Sequence, residues 1–243
     1  MLQMSVEYTD VEQDTWRRLY QVQVAQLEAR AWSPFMNGVD RLGISSEELP
    51  QVEGLTWALH GTSRFRVKAV PGMIDAPTFF GLLARRTFPV ATFIRTPEQW
   101  GYVEAPDVFH EVFGHCPLLT RPDYADIVQR FGLLAMRGGP VLFEPLQRLF
   151  WFTIEFGLIE SDEGLRLFGA GLLSSPEEAV LALESTEVER RPFDLDEILA
   201  SDYRVDAPQP RYFALKCLHQ LSAALDVIEN QCALNLTGSV CRR

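Results

Sequence analysis

The 243 residues are 47% hydrophobic and 23% charged, enough to bury one sizeable core and too few for several. Twenty-two basic residues against 33 acidic ones leave a net charge of −11, which repels phosphate backbones and anionic lipid surfaces and argues against nucleic acid or a membrane as partner. The chain opens MLQMSVEYTD without a basic region leading into an apolar one, and no run approaches about 18 uninterrupted apolar residues, so a soluble cytoplasmic protein is expected.

A long amphipathic helix is predicted from Asp14 to about Trp32, where Trp16, Leu19, Tyr20, Val24 and Leu27 recur at helical spacing behind Asp10 and Asp14. Between Leu55 and Val70, the residues Phe65, Val67 and Ala69 alternate with Arg64, Arg66 and Lys68 until Pro71-Gly72 stops them, which predicts a short strand. A helix from Ala76 to Arg85 and an extended run from Pro89 to Arg95 follow. From Pro106 onward the pattern reads mostly helical, over 106–115, 123–136, 144–157, 176–185, 194–200 and 211–230. No linker or repeat interrupts it. The expectation is a mainly α domain with a few short strands. Cys116, Cys217, Cys232 and Cys241 follow no CxxC spacing and read as reduced thiols.

The chemistry concentrates in two segments. In Ala105-Pro106-Asp107-Val108-Phe109-His110-Glu111-Val112-Phe113-Gly114-His115-Cys116-Pro117, proline stands where a helix begins, and glycine with a second proline where one stops. His110 and His115 lie five apart, about 140° around an ideal helix, so they converge on one ion only if the helix breaks between them. Gly114 and Pro117 supply the expected break. Taken singly, a histidine among aromatics fits a hydrogen-bonded core position as well as a ligand, and His60 and His219 are read that way. The second segment carries Glu155 with Trp151, Phe152, Leu158 and Ile159 at helical spacing around it. A carboxylate there is out of place, and near a helix C-terminus the dipole disfavours it further, so a buried cation would answer both costs; an arginine partner would answer the first. Two imidazoles and one carboxylate make the facial set of non-haem Fe(II) sites, although zinc hydrolases draw on the same ligand types.

The segments FHEVFGHCPLL, WFTIEFGL and FGAGLLSSPEE, in that order, resemble the successive signatures of the aromatic amino acid hydroxylases. EELPQVEGL, FRVKAVPGMI, FPVATFIR and YRVDAPQPRYF extend the likeness over most of the chain, in particular to the bacterial single-domain phenylalanine 4-hydroxylases. The resemblance implies the single-domain catalytic fold of that family over residues 1–243, with a core from about 8 to 232. It implies neither regulatory domain nor tetramerisation helix, hence a monomer. It implies a tetrahydropterin-dependent monooxygenase using O2, in which the catalytic His110, His115 and Glu155 hold Fe(II). Arg95 corresponds to the arginine for the substrate carboxylate and Ser174 to a serine beside that group. Trp151 corresponds to an aromatic of the substrate pocket, Phe79 to the ring on which the pterin stacks, and Glu111 to a glutamate near the pterin.

Elementary chemistry agrees with these roles. Ring hydroxylation with O2 requires two electrons that the aromatic substrate does not first provide, hence an organic co-reductant. A planar reductant suits an aromatic shelf, and an amino acid carboxylate suits a guanidinium. The resemblance implies tryptophan at position 151 in phenylalanine and tyrosine hydroxylases and phenylalanine there in tryptophan hydroxylases. Trp151, a bulkier wall, therefore favours a benzene ring, and the bacterial likeness implies conversion of L-phenylalanine to L-tyrosine. Tryptophan 5-hydroxylation and phenylalanine 3-hydroxylation are the alternatives, and a zinc metallohydrolase a distant one. Three positions depart from the family pattern: Phe150 replaces a tyrosine, Val103 a threonine that helps with the substrate carboxylate, and Ser63-Arg64 a Thr-Gly pair.

Overall fold

A computed structural model describes residues 6–100, 105–205 and 207–240, without the side chains of 232–240. Helix α1 (Asp10–Leu27) starts earlier than predicted because Thr9 and Glu12 form a reciprocal cap: the Glu12 amide donates to the Thr9 hydroxyl, and the Thr9 amide to the Glu12 carboxylate. It also ends earlier, and Ala31 instead bridges to Leu167. Helices α2 (Ser33–Leu42) and α3 (Val52–Thr62) were not expected from the sequence. Gly43, at φ 64°, closes α2 in the left-handed conformation that a side chain would strain.

Strand β1 (Arg66–Val70) falls on the alternating segment, and α4 (Ala76–Leu83) begins where Asp75 caps the Thr78 amide. Strand β2 (Thr87–Ala91) pairs with β1 in parallel, Val67 opposite Phe88. The chain then enters the segment of His110, followed by α5 (Cys116–Leu119), α6 (Pro122–Gly138) and α7 (Pro140–Phe150). Beyond Glu155 come strands β3 (Leu158–Ser161) and β4 (Gly164–Leu167), then helices α8 (Ala170–Ser174) and α9 (Pro176–Glu184). Strand β5 (Glu189–Pro192), α10 (Leu195–Ala200), strand β6 (Arg211–Leu215) and α11 (Leu218–Val240) complete the order.

Here the structure corrects the sequence reading. Residues 211–215, expected to open the last helix, form a strand of a four-stranded sheet ordered β4-β3-β6-β5, parallel to both β3 and β5. Tyr212, Phe213, Ala214 and Leu215 are all buried, so the run shows no alternation and cannot be told from a buried helix by period alone. The core is strongly aromatic. Phe113 stacks on Phe109 with centroids 5.0 Å apart and meets Phe35 edge-on at 5.5 Å, while Trp16 meets Phe109 at 5.3 Å. This packing fixes the helix that carries the histidines. No described helix is long and apolar enough to cross a membrane. Cys116 and Cys217 are free thiols, whereas Cys232 and Cys241 lie outside the described side chains.

Candidate metal centre

Asp107, rather than Pro106, opens the first ligand helix by accepting the His110 amide on Oδ1 at 3.0 Å. The helix does not break at Gly114. It widens: His110–His115 form a π-helical turn that runs straight into α5. Hydrogen bonds from i to i+5 bring residues five apart onto one side, and the two Nε2 atoms stand 3.2 Å from each other. The expectation that the histidines converge was correct, and the expected cause was wrong. Pro117 lacks the N–H that a continuous α-register would give residue 113, a loss that a wider turn absorbs without a kink. The Cys116 thiol donates to the Glu111 carbonyl at 3.5 Å. A Cβ on Gly114 would lie 2.8 Å from the Ala170 carbonyl oxygen, so only glycine lets α8 approach this closely.

Glu155 ends a second π-helical turn, Trp151–Glu155, which continues α7. Its Oε1 lies 3.0 Å from His115 Nε2 and its Oε2 3.5 Å from His110 Nε2. One ligand atom from each of the three residues can be chosen so that all lie within 4.8 Å of one another. A Cβ on Gly169 would lie 2.3 Å from the Glu155 carbonyl oxygen. The segment leading into α8 is therefore wedged against both ligand turns.

Ser174, at the end of α8, sits beside His110. Its hydroxyl donates to the Ala170 carbonyl at 2.7 Å and so has no proton left for the imidazole nitrogen 2.9 Å away. His110 Nδ1 must then carry the proton and donate, leaving the Nε2 lone pair facing Glu155 and His115. Burial pushes the His110 imidazole down to about 4, against the opposing charge of Glu155. Burial alone would raise the Glu155 carboxyl, but the neighbouring imidazoles and the hydrogen bond from His115 hold it below the usual carboxylate range. The Glu111 carboxyl is pushed well above that range, by burial first and then by the charges of Glu155 and Asp107.

Arg95 is not a free guanidinium. Its Nε and Nη2 form two parallel bonds to Asp107 at 2.8 and 2.9 Å, with Arg95 4% and Asp107 0% exposed. Asp107 was missed in the sequence, although an acidic residue just before a helix start is a capping signal. His110, Glu155, Arg95, Phe79, Trp151 and Ser174 line one cavity of about 390 Å³. Glu111 is on the same π turn as His110 but does not line it. Phe79 meets Phe150 edge-on at 5.4 Å, so the residue in place of tyrosine serves as apolar wall. Trp151 stacks on Tyr203 at 4.6 Å and donates from Nε1 to Gln209 Oε1 at 3.1 Å. Tyr203, Glu178 and Gln209 lie in the segments FGAGLLSSPEE and YRVDAPQPRYF that carry the likeness, but the sequence assigned them no role. Val103 lies outside the described residues, and His60 and His219 are exposed elsewhere.

The family pattern "Biopterin-dependent aromatic amino acid hydroxylase" matches residues 3–234. The phenylalanine-4-hydroxylase of Pseudomonas aeruginosa is 43% identical over 216 residues, which cover 89% of this chain and 82% of that protein. That of Vibrio cholerae is 38% identical over 89% of this chain and 75% of its own length. Among solved structures, the phenylalanine hydroxylase of Chromobacterium violaceum with bound oxidised Fe(III) superposes with a TM-score of 0.89 at 37% identity, covering 95% of this chain and 84% of that one.

Proposed function

The chain belongs to the biopterin-dependent aromatic amino acid hydroxylases, and we propose that it converts L-phenylalanine to L-tyrosine with O2 and a tetrahydropterin, using iron held by His110, His115 and Glu155. The observation that carries this reading is the convergence of the two Nε2 atoms and the Glu155 carboxylate. Two imidazole nitrogens 3.2 Å apart share at most one proton between them, and a carboxylate beside both completes a set of lone pairs that a cation satisfies. The donor set therefore fits iron. Bound there, the metal together with the pterin as two-electron reductant supplies the oxygen chemistry that ring hydroxylation needs.

The chain's own residues bind, orient and exclude water. Ser174 holds His110 in the tautomer that presents Nε2, a positioning role beside its expected place next to the substrate carboxylate in the cavity wall. Arg95 lines the cavity with its guanidinium plane fixed by Asp107, which supports it as the partner of the substrate carboxylate. Phe79, in the cavity wall, offers the aromatic shelf for the pterin, and Glu111, on the π turn of His110, is the glutamate assigned to it by the resemblance. Trp151, braced by Tyr203 and Gln209, forms the wall against which a benzene ring fits better than an indole. The net charge of −11 supports an enzyme that works without nucleic acid or an anionic membrane surface as partner.

Incubation with Fe(II), tetrahydropterin, O2 and each aromatic amino acid, followed by chromatography, tests the reading. Tyrosine from phenylalanine is expected as the main product. 5-Hydroxytryptophan or m-tyrosine in that place would refute the substrate or the ring position, and hydrolysis of an amide with zinc and no O2 uptake would refute the class.

A further inference from the structure

We propose that Glu178 receives the α-ammonium group of the substrate, the counterpart of Arg95 at the carboxylate; this rests on the amino acid substrate read above. A zwitterionic ligand taken out of water needs one cationic and one anionic partner. Among the described residues lining the cavity, the Tyr203 phenol apart, the charged or ionisable ones are Arg95, His110, Glu155 and Glu178. His110 and Glu155 face each other at the metal set, and Asp107 is consumed by Arg95. Glu178 is the carboxylate that remains.

Its geometry suits the task. Oε1 accepts the Gln209 amide at 3.1 Å and the Tyr212 hydroxyl at 3.0 Å, which fixes the carboxylate, while no described residue donates to Oε2. Glu178 lies in the first turn of α9, four residues after the serine that holds His110. Burial raises its carboxyl above the usual range, the mark of a carboxylate short of compensating charge, and an arriving ammonium would relieve that shortage. A purely structural role would use Oε1 alone: through Gln209 it steadies Trp151.

Glu178→Gln separates the two roles. The amide oxygen still accepts from Gln209 and Tyr212, whereas the open position now presents an N–H2 group to the incoming ammonium. In the iron-loaded enzyme, titration calorimetry should show the Kd for L-phenylalanine rising at least tenfold, with the Kd for 3-phenylpropionate, which lacks the amine, changing less than threefold. Glu178→Asp, which keeps the charge at shorter reach, should fall between the two and serves if the glutamine variant does not fold. An equal loss for both ligands, or none for phenylalanine, overturns the proposal while leaving the substrate reading intact. A wild type that binds 3-phenylpropionate and phenylalanine equally well overturns the proposal too. One that neither binds nor hydroxylates any aromatic amino acid overturns the substrate reading and the proposal with it.

Discussion

Replacing Asp107 by asparagine should damage stability and the site together. The carboxylate is fully buried and accepts four hydrogen bonds: Oδ2 from the Arg95 amide at 2.9 Å and Arg95 Nε at 2.8 Å, Oδ1 from Arg95 Nη2 at 2.9 Å and the His110 amide at 3.0 Å. Every partner is a donor, so whichever way the asparagine amide turns, its N–H2 group faces two other N–H groups and two bonds are lost. The Arg95 charge is meanwhile left buried without its counter-ion, and breaking a buried pair in this way costs about 3–5 kcal/mol. For a chain of this length, roughly 2–4 °C of Tm accompanies each kcal/mol, so Tm should fall by roughly 6–20 °C. Burial would raise the Asp107 carboxyl, but Arg95 and the two amides hold it below the usual range. A carboxyl lowered in the folded state stabilises fully above its unfolded value near 4 and loses that contribution as pH falls further. The acid limb of the wild-type stability curve should therefore flatten in the variant. Calorimetry from pH 3 to 7, with Kd for phenylalanine measured alongside, checks both parts. A Tm within about 2 °C of wild type at pH 7 would refute the buried-pair reasoning, and Arg95→Gln would then report on substrate contact alone.

Ser174→Ala removes the acceptor that fixes the His110 tautomer; iron affinity should fall by about 10–100-fold with little change in Tm of the metal-free protein, read by competition with a chelator. The His110 imidazole titrates near 4 when folded against 6.5 when exposed, so the unfolded chain takes up the proton first as pH drops. The metal-free protein should therefore lose about 3 kcal/mol between pH 6.5 and 4 from this group, measured by denaturant titration, and a flat profile there would argue that the ring is not buried neutral. Trp151→Phe should narrow the preference in kcat/KM for phenylalanine over tryptophan by about 1–3 kcal/mol, as product chromatography would show.

The parts of the fold legible in the sequence are those where one face meets water. Helices α6, α9 and α10 lie on predicted segments because proline or an acidic cap opens them and their polar faces keep the period visible. Strand β1 showed for the same reason, exposed and buried residues alternating at its start. Strand β6 runs between two neighbours with its apolar residues buried, so no period betrayed it. The metal set was legible from residue type and spacing, but its supports were not. Asp107 acts on Arg95 from twelve positions away and Gln209 on Trp151 from 58, distances over which local pattern carries no information.

The π turns explain why spacing alone misled. Both ligand segments read as ordinary α-helix, since nothing in the composition of HEVFGH or WFTIE prefers the wider winding. What favours it is the contact each turn makes with the rest of the chain, together with Pro117 just past the first. Gly114 admits the Ala170 carbonyl against the first turn, Gly169 admits the Glu155 carbonyl of the second, and Ser174 hydrogen-bonds the first ligand itself. A five-residue helix with the glycine before it thus touches both turns and supplies no ligand atom among the three. A π turn is rare in globular proteins and concentrates at functional sites, where surrounding contacts must hold it against the α-register. On this account the segment FGAGLLSS, seated against Gly114 of the first turn and the Glu155 carbonyl of the second, sets the geometry in which His110, His115 and Glu155 meet.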